Sequence, residues 1–152
     1  MRFTAFIAIV LALTLNQSCK PDNELIGDCF VPSVSVNLTI NMTFPEYFNL
    51  QNLGEYKAFE AGNRGIYVIH NYDDIFYAIE RTCTYQSDNE CSKIYLDNDI
   101  LQLRCGTPAD TGFVKCCEST YAFSSGYLTG PTRCNLKTYR ISRSGNTLYV
   151  SN

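Results

Sequence analysis

The chain of 152 residues has one histidine, His70, and no tryptophan, and its 12 basic residues are outnumbered by 15 acidic ones. It has no cluster of Lys and Arg that could neutralise phosphates, so we expect no nucleic-acid partner. It also lacks an apolar run of the roughly 20 residues that a membrane-spanning helix needs. No nucleophile–base pair, phosphate loop or dinucleotide fingerprint is present, so we expect no enzyme and no catalytic residues.

The N-terminus has the pattern of an export signal. Arg2 gives a positive start, residues 5–15 are uncharged and apolar, and the small residue Ser18 precedes Cys19. We therefore expect residues 1–18 to be a lipoprotein signal peptide and Cys19 to carry the lipid. This predicts a lipid anchor in the cell envelope, outside the cytoplasm, on the outer membrane or on a surface facing the periplasm.

Residues 19–31 are then expected to be a polar tether. Asn16 departs from the usual lipoprotein motif, which has an aliphatic residue three places before the cysteine. Cleavage near Ser18 by an ordinary signal peptidase is the alternative, and it would leave Cys19 as one more thiol.

Residues 32–152 are predicted to form one all-β domain. Val34–Met42 alternates apolar and polar residues, which is typical of a strand with one buried face. No window shows a sustained period of 3.6 residues. The other predicted strands are short and are separated by turn residues, which indicates an antiparallel sandwich or small barrel; they lie at 65–70, 75–81, 93–96, 100–104, 113–115, 136–141 and 147–150.

Two segments are predicted to lie outside the strands. Tyr47–Tyr56 is expected to be a loop or a short helical turn, and Gly106–Gly112 is expected to be a loop because it contains two glycines and Pro108.

Seven cysteines remain besides Cys19, and in an exported chain the first expectation is disulfides. Because the number is odd, at least one thiol stays free, binds a ligand or pairs between chains. Proximity in the sequence suggests Cys83 with Cys91, and Cys105 with Cys116 or Cys117, although spacing does not fix the connectivity.

Two other uses of the cysteines stay open. A zinc or four-cysteine cluster site could draw on Cys83, Cys91, Cys105 and either Cys116 or Cys117, although no pair has C-x-x-C spacing. A redox sensor built from the adjacent pair Cys116-Cys117 is a further alternative.

From Val34 to the C-terminus, about three quarters of the chain, the sequence resembles the Rieske iron–sulfur domain family. Arg81–Tyr85 resembles a first cluster loop of the form C-x-H, and Cys116–Tyr121 resembles a second loop of the form C-x-C-H-G-S-x-F/Y. The glycines that follow, with Pro131, resemble the turn after that second loop. The resemblance extends to bacterial lipoproteins of the Bacteroidetes type and implies a small β-sandwich or barrel with an inserted, loop-rich, cluster-binding-like subdomain.

The resemblance implies a [2Fe-2S] cluster held by two cysteines and two histidines. Here Tyr85 stands at the first histidine position, and Cys117 stands at the second if Ser119 aligns with the family's serine; Val114 then occupies the ligand-cysteine position. In the alternative alignment of the second loop, Cys116 stands at the ligand-cysteine position and Ser119 stands at the second histidine position. Both registers lack the imidazoles, so the cluster-ligand motifs are degenerate and no metal ligand is assigned.

We therefore expect no cofactor, and a disulfide with packed aromatics such as Tyr85 and Tyr121 where the family holds its cluster. The predicted function is a structural or interaction module, tethered to the membrane and bound to an unidentified envelope protein. The alternative is an electron-transfer protein whose [2Fe-2S] cluster has unusual, cysteine-rich ligation.

Overall fold

The computed structural model describes residues 29–97, 100–110 and 112–152, and in these ranges it contains strands and one 3-10 helix (Phe48–Gln51). The strands are β1 (Asn37–Asn41), β2 (Tyr56–Phe59), β3 (Ile66–His70), β4 (Phe76–Glu80), β5 (Ile94–Asp97), β6 (Gln102–Ala109), β7 (Gly112–Tyr121), β8 (Tyr127–Thr129), β9 (Thr138–Ser144) and β10 (Thr147–Ser151). The all-β prediction is confirmed.

A six-stranded antiparallel sheet in the order β1-β10-β9-β4-β3-β2 forms the base of the domain. Alternate residues of β1 and β10, among them Ile40, Leu148 and Val150, pack against Ile66 and Val68 of β3 in a first core. The two halves of the sheet therefore face each other across this core, as a strand with one apolar face requires.

Strands β3 and β4 are buried on both faces. Val68 of β3 and Ala78 of β4 point into the first core, while Tyr67 and Ile69 of β3 and Ile79 of β4 point into a second core. This double burial explains why the Ile66–His70 stretch is almost continuously apolar.

A second antiparallel sheet, β5-β6-β7-β8, is inserted between β4 and β9 and covers the second core. Ile94 of β5, Leu103 of β6 and Tyr121 of β7 are fully buried there. The predicted inserted subdomain is therefore present, with a four-stranded sheet as its framework.

The prediction of a loop at Gly106–Gly112 is wrong. β6 and β7 continue as a hairpin through this segment, with Pro108 opposite Phe113. β5 pairs with β6 only as far as Cys105, so Pro108 lies where β6 has no neighbour on its other side. A proline cannot donate to a ladder, and it is tolerated where no partner strand needs that donor.

Strands β2 and β8 were not predicted from the sequence. Both are short strands at sheet edges, and neither has enough alternating residues to show a period. No helix in the described part of the chain is both long and apolar enough to cross a bilayer. The predicted signal (residues 1–18) and the predicted lipid site Cys19 lie outside the described residues.

Candidate metal centre

Three thiols meet at one end of the second core. The Sγ atoms of Cys83, Cys105 and Cys117 all lie within 4.8 Å of one another, and those of Cys83 and Cys117 are 3.7 Å apart. Cys83 and Cys105 are buried, whereas Cys117 is partly exposed. The three residues come from three separate segments of chain, so a bound ion would tie those segments together.

Cys83 lies in the segment that follows β4, and the backbone of this segment is firmly held. The Cys83 amide donates to the Ser92 carbonyl at 3.1 Å, and the Ser92 hydroxyl donates to the Tyr85 carbonyl at 3.0 Å. From across the domain, the guanidinium of Arg64 donates to the carbonyls of Ser87 and Asn89. These bonds fix the path of the loop and hence the position of the Cys83 sulfur.

A β-bulge positions the other two thiols. Arg104 of β6 pairs with Thr120 of β7, but two residues later Gly106 pairs with Lys115, so four residues of β7 lie opposite Cys105 alone. Such a bulge re-aims the side chains at its position. It turns Cys117 toward Cys105.

Gly106 makes this bulge possible. Its φ of +146° is unfavourable for residues with a side chain, and a Cβ there would press on the Val114 carbonyl and lie 2.9 Å from the Lys115 Cα.

The two disulfides in the described part of the chain differ from the pairings that proximity in the sequence suggested. Cys91 is bonded to Cys116, with the Cα atoms 5.5 Å apart, and Cys29 is bonded to Cys134, with the Cα atoms 5.8 Å apart. Cys83 and Cys105, both predicted to be candidate disulfide residues, are free thiols instead.

The physical reason lies in β7. Neighbouring residues of a strand point to opposite sides, so Cys116 can reach the loop at Cys91 while Cys117 joins the thiol cluster. The bond to Cys91 also rules out a disulfide between Cys116 and Cys117 in this state. The Cys29–Cys134 bond attaches the end of the predicted tether (residues 19–31) to the domain.

The three thiols shift one another's pKa values in different directions. Hydrogen bonds with Cys105 and Cys83 lower the pKa of the Cys117 thiol. Hydrogen bonds with Cys117 and Cys83, together with burial, raise the pKa of Cys105. The hydrogen bond with Cys105 lowers the pKa of Cys83, but the hydrogen bond with Cys117 and burial outweigh it, and the net shift is upward. A thiolate beside two thiols suits metal binding, which displaces the remaining protons.

Polar groups surround the cluster. The Tyr121 hydroxyl is 3.6 Å from the Cys83 sulfur and 2.9 Å from the Thr84 hydroxyl, and burial raises the pKa of this tyrosine. Ser119 is 1% exposed, and its hydroxyl lies beside the Tyr121 hydroxyl and beside the Cys117 thiol, whose pKa it helps to lower.

A cleft of about 200 Å³ leads from solvent to Cys117. Arg104 and Lys115 line it, but each has an acidic partner: Arg104 is paired with Asp97, and Lys115 with Glu118 at 2.7 Å. The cleft therefore gives small solutes access to the centre without a strongly charged entrance.

His70 and Tyr85 take no part in the thiol cluster. The ring of His70 is buried in the six-stranded sheet, where Nδ1 is 2.9 Å from the Leu50 carbonyl and Nε2 is 2.8 Å from Asp74. It also stacks on Phe76. Tyr85 packs, partly buried, against the second core. Among the predicted cluster-loop positions, the structure thus brings together Cys83 and Cys117, excludes Cys116, and adds Cys105.

The alternative of a zinc or four-cysteine site named these three thiols together with Cys91, which the structure instead bonds to Cys116. No familiar ligand spacing in the sequence predicted this grouping around Cys105. Gly106 directly after it was the one local signal, since a glycine inside a strand often marks a bulge.

No protein-family model matches the chain, and no curated protein matches it either. Among solved structures it is similar to the ferredoxin of carbazole 1,9a-dioxygenase from Nocardioides aromaticivorans IC177. The two share 15% sequence identity with a TM-score of 0.44, and the match covers 78% of this chain and 97% of the ferredoxin. Membership of the Rieske family stays a prediction, and the candidate site rests on the geometry of this chain's own residues.

Proposed function

We propose that this domain is a cell-envelope structural module whose inserted sheet is held together by one thiophilic metal ion, bound by Cys83, Cys105 and Cys117. The observation that carries the proposal is the convergence of three thiols, their Sγ atoms mutually within 4.8 Å, in a chain whose other described cysteines form disulfides. Soft thiolate ligands favour zinc, copper(I) or iron.

The distances suit a single ion. In a tetrahedral site with metal–sulfur bonds of about 2.3 Å, two sulfurs are about 3.8 Å apart. Cys83 and Cys117 already have this separation, at 3.7 Å. The remaining sulfur–sulfur distances, within 4.8 Å, need to shorten by about 1 Å or less. Water or the buried hydroxyl of Ser119, which lies beside Cys117, could take the fourth position.

A histidine-ligated [2Fe-2S] cluster fits less well. Its two irons need four terminal ligands, and the described residues offer three thiols at the site while His70 is held elsewhere by Leu50 and Asp74. One ion needs no further side chain from the protein, because water can complete the site.

The test is metal analysis of the full chain, purified with its thiols reduced and without chelators. We expect one ion per chain, and we expect Cys83→Ser, Cys105→Ser and Cys117→Ser each to remove it. The matched control is Cys29→Ser with Cys134→Ser, which removes two cysteines that form a disulfide but leaves the three cluster thiols in place, and it should keep the ion. Wild-type chain that takes up no zinc, cobalt, copper(I) or iron would refute the proposal.

Electron transfer is the second candidate, favoured by the partial exposure of Cys117, which brings one ligand of the centre to the surface. It predicts iron in the native protein, together with acid-labile sulfide if the centre is a cluster. An electron paramagnetic resonance signal that changes on reduction would support it; zinc in native material would exclude it.

We also propose that lipid on Cys19 anchors the chain to the membrane, where the module binds an envelope protein. The support is the pattern of the first 19 residues. Cys19→Ser should remove the lipid mass from the mature chain and move the protein from the membrane fraction to the soluble one. A mature N-terminus other than Cys19 would contradict lipidation.

A further inference from the structure

We propose that Cys83 and Cys117 form an oxidation-sensitive switch: in the ion-free site the two thiols close a disulfide, and the site can then no longer hold its metal ion. The regulatory part rests on the proposed function, whereas formation of the disulfide does not.

The geometry singles out this pair. The two sulfurs are 3.7 Å apart, and a disulfide bond is about 2.05 Å long, so they need to approach by about 1.7 Å. Cys117 is the partly exposed member of the three and lines the cleft to solvent, while Cys83 and Cys105 are buried. An oxidant therefore meets Cys117 first, with the Cys83 sulfur against it.

The reaction with a peroxide balances without a further reactant. The Cys117 thiolate attacks one peroxide oxygen, the O–O bond breaks, and hydroxide leaves a sulfenic acid on Cys117. The Cys83 sulfur then attacks the Cys117 sulfur, the S–O bond breaks, and the hydroxide leaves with the Cys83 proton as water. Two electrons pass from the two thiols to the peroxide.

The consequence for the ion follows from the ligand count. A disulfide between Cys83 and Cys117 leaves Cys105 as the single remaining thiol of the cluster, and one buried thiol does not retain an ion. Conversely, a bound ion occupies both sulfurs and protects them from oxidation. Such protection matters outside the cytoplasm, where paired thiols tend to oxidise.

The experiment treats the full chain, with its two disulfides intact and the three cluster thiols free, with hydrogen peroxide, with and without stoichiometric zinc. Without zinc we expect loss of the mass of two hydrogen atoms, a cross-linked peptide pair containing Cys83 and Cys117, and loss of zinc uptake that a reductant restores. With zinc we expect closure at least about tenfold slower, because the ion must dissociate first.

Two variants separate the steps. Cys105→Ser keeps the pair and should still close the same disulfide, whereas Cys83→Ser should stop at a sulfenic acid on Cys117 that dimedone traps. A new disulfide that includes Cys105, or no disulfide at all, overturns the switch even where zinc binds. If the chain binds no zinc, and the Cys83–Cys117 disulfide closes at the same rate with and without zinc, the metal site is refuted. The regulatory part of the proposal then fails with it, although the disulfide itself still forms.

Discussion

Replacing Glu80 by glutamine should destabilise the domain and loosen the thiol cluster. Glu80 ends β4 and is fully buried. One carboxylate oxygen accepts from the amides of Arg64 (3.0 Å) and Thr82 (3.2 Å) and from the Thr82 hydroxyl (3.0 Å). The other accepts from the Asn63 amide (2.9 Å) and the Tyr139 hydroxyl (2.6 Å). Every group facing the carboxylate here is thus a donor.

Glutamine has nearly the same shape, but one of its two ends donates instead of accepting. Whichever way the amide turns, its NH₂ group meets at least one backbone N–H, and a backbone N–H cannot rotate away as the Tyr139 hydroxyl can. A buried donor left without an acceptor costs about 1–3 kcal/mol, and the surviving bonds lose the assistance of the charge. We expect Glu80→Gln to lower the free energy of unfolding by about 2–4 kcal/mol.

Urea unfolding of the full chain measures this loss, with tyrosine fluorescence as the probe since the chain has 11 tyrosines and no tryptophan. Glu60→Gln is the matched control: Glu60 is exposed, and its loss should change stability by less than about 0.5 kcal/mol. Zinc affinity should also fall in Glu80→Gln, because Thr82 directly precedes Cys83. A stability within about 0.5 kcal/mol of wild type would refute this account of the carboxylate.

Three further predictions concern the surroundings of the site. Cys91→Ser with Cys116→Ser opens a loop with a sequence separation of 25 and should cost about 3.5 kcal/mol in the chain-entropy model, measured by urea unfolding. Gly130→Ala should cost about 2 kcal/mol or more, because Gly130 has φ +128° and an added Cβ would lie 2.7 Å from the Ser119 amide nitrogen. Burial, and then the bond to Glu80, raise the pKa of Tyr139 above its ordinary value; its contribution is therefore complete below about pH 10 and is lost as pH rises further. Tyr139→Phe should be less stable at pH 8 but lose less stability than wild type above pH 10.

Controls exist for each of these. Gly126→Ala adds a methyl group with no neighbour within 4 Å and should be close to neutral; equal losses at Gly126 and Gly130 would contradict the steric argument. Reduction of the wild-type chain opens the Cys29–Cys134 bond as well, so it should cost at least as much stability as the double serine variant. Parallel pH profiles for Tyr139→Phe and wild type would show that Tyr139 does not cause the alkaline loss.

Strands could be predicted from the sequence where apolar and polar residues alternate, or where a turn requires a particular residue. The closing hairpin is an example: Gly145 was predicted in its turn, and it has φ +57° between β9 and β10. The Val34–Met42 alternation predicted β1, although the strand occupies only Asn37–Asn41. These signals are local, so one sequence suffices to detect them.

The site itself could be predicted only in part. Cys83, Cys105 and Cys117 were named together only in the alternative of a four-cysteine site that also included Cys91. Which thiols converge depends on where β5 ends and on how many residues of β7 the bulge takes up. The disulfide partners depend on the same bulge. Such relations arise between strands distant in sequence, and no pattern within one segment encodes them.

If lipid on Cys19 anchors the chain as proposed, the Cys29–Cys134 bond would limit the distance between the domain and the bilayer and would determine where a force from the membrane reaches the domain. With lipid on Cys19, only the segment from Cys19 to Cys29 would connect the membrane to the domain, and a segment of this length spans at most about 35 Å. A force along this segment would pass through the Cys29–Cys134 disulfide into the chain at Cys134. The Cys134 carbonyl accepts a hydrogen bond from the Thr84 hydroxyl at 3.3 Å. Mechanical load from the membrane would therefore arrive next to Cys83 before it reached the strands of the larger sheet.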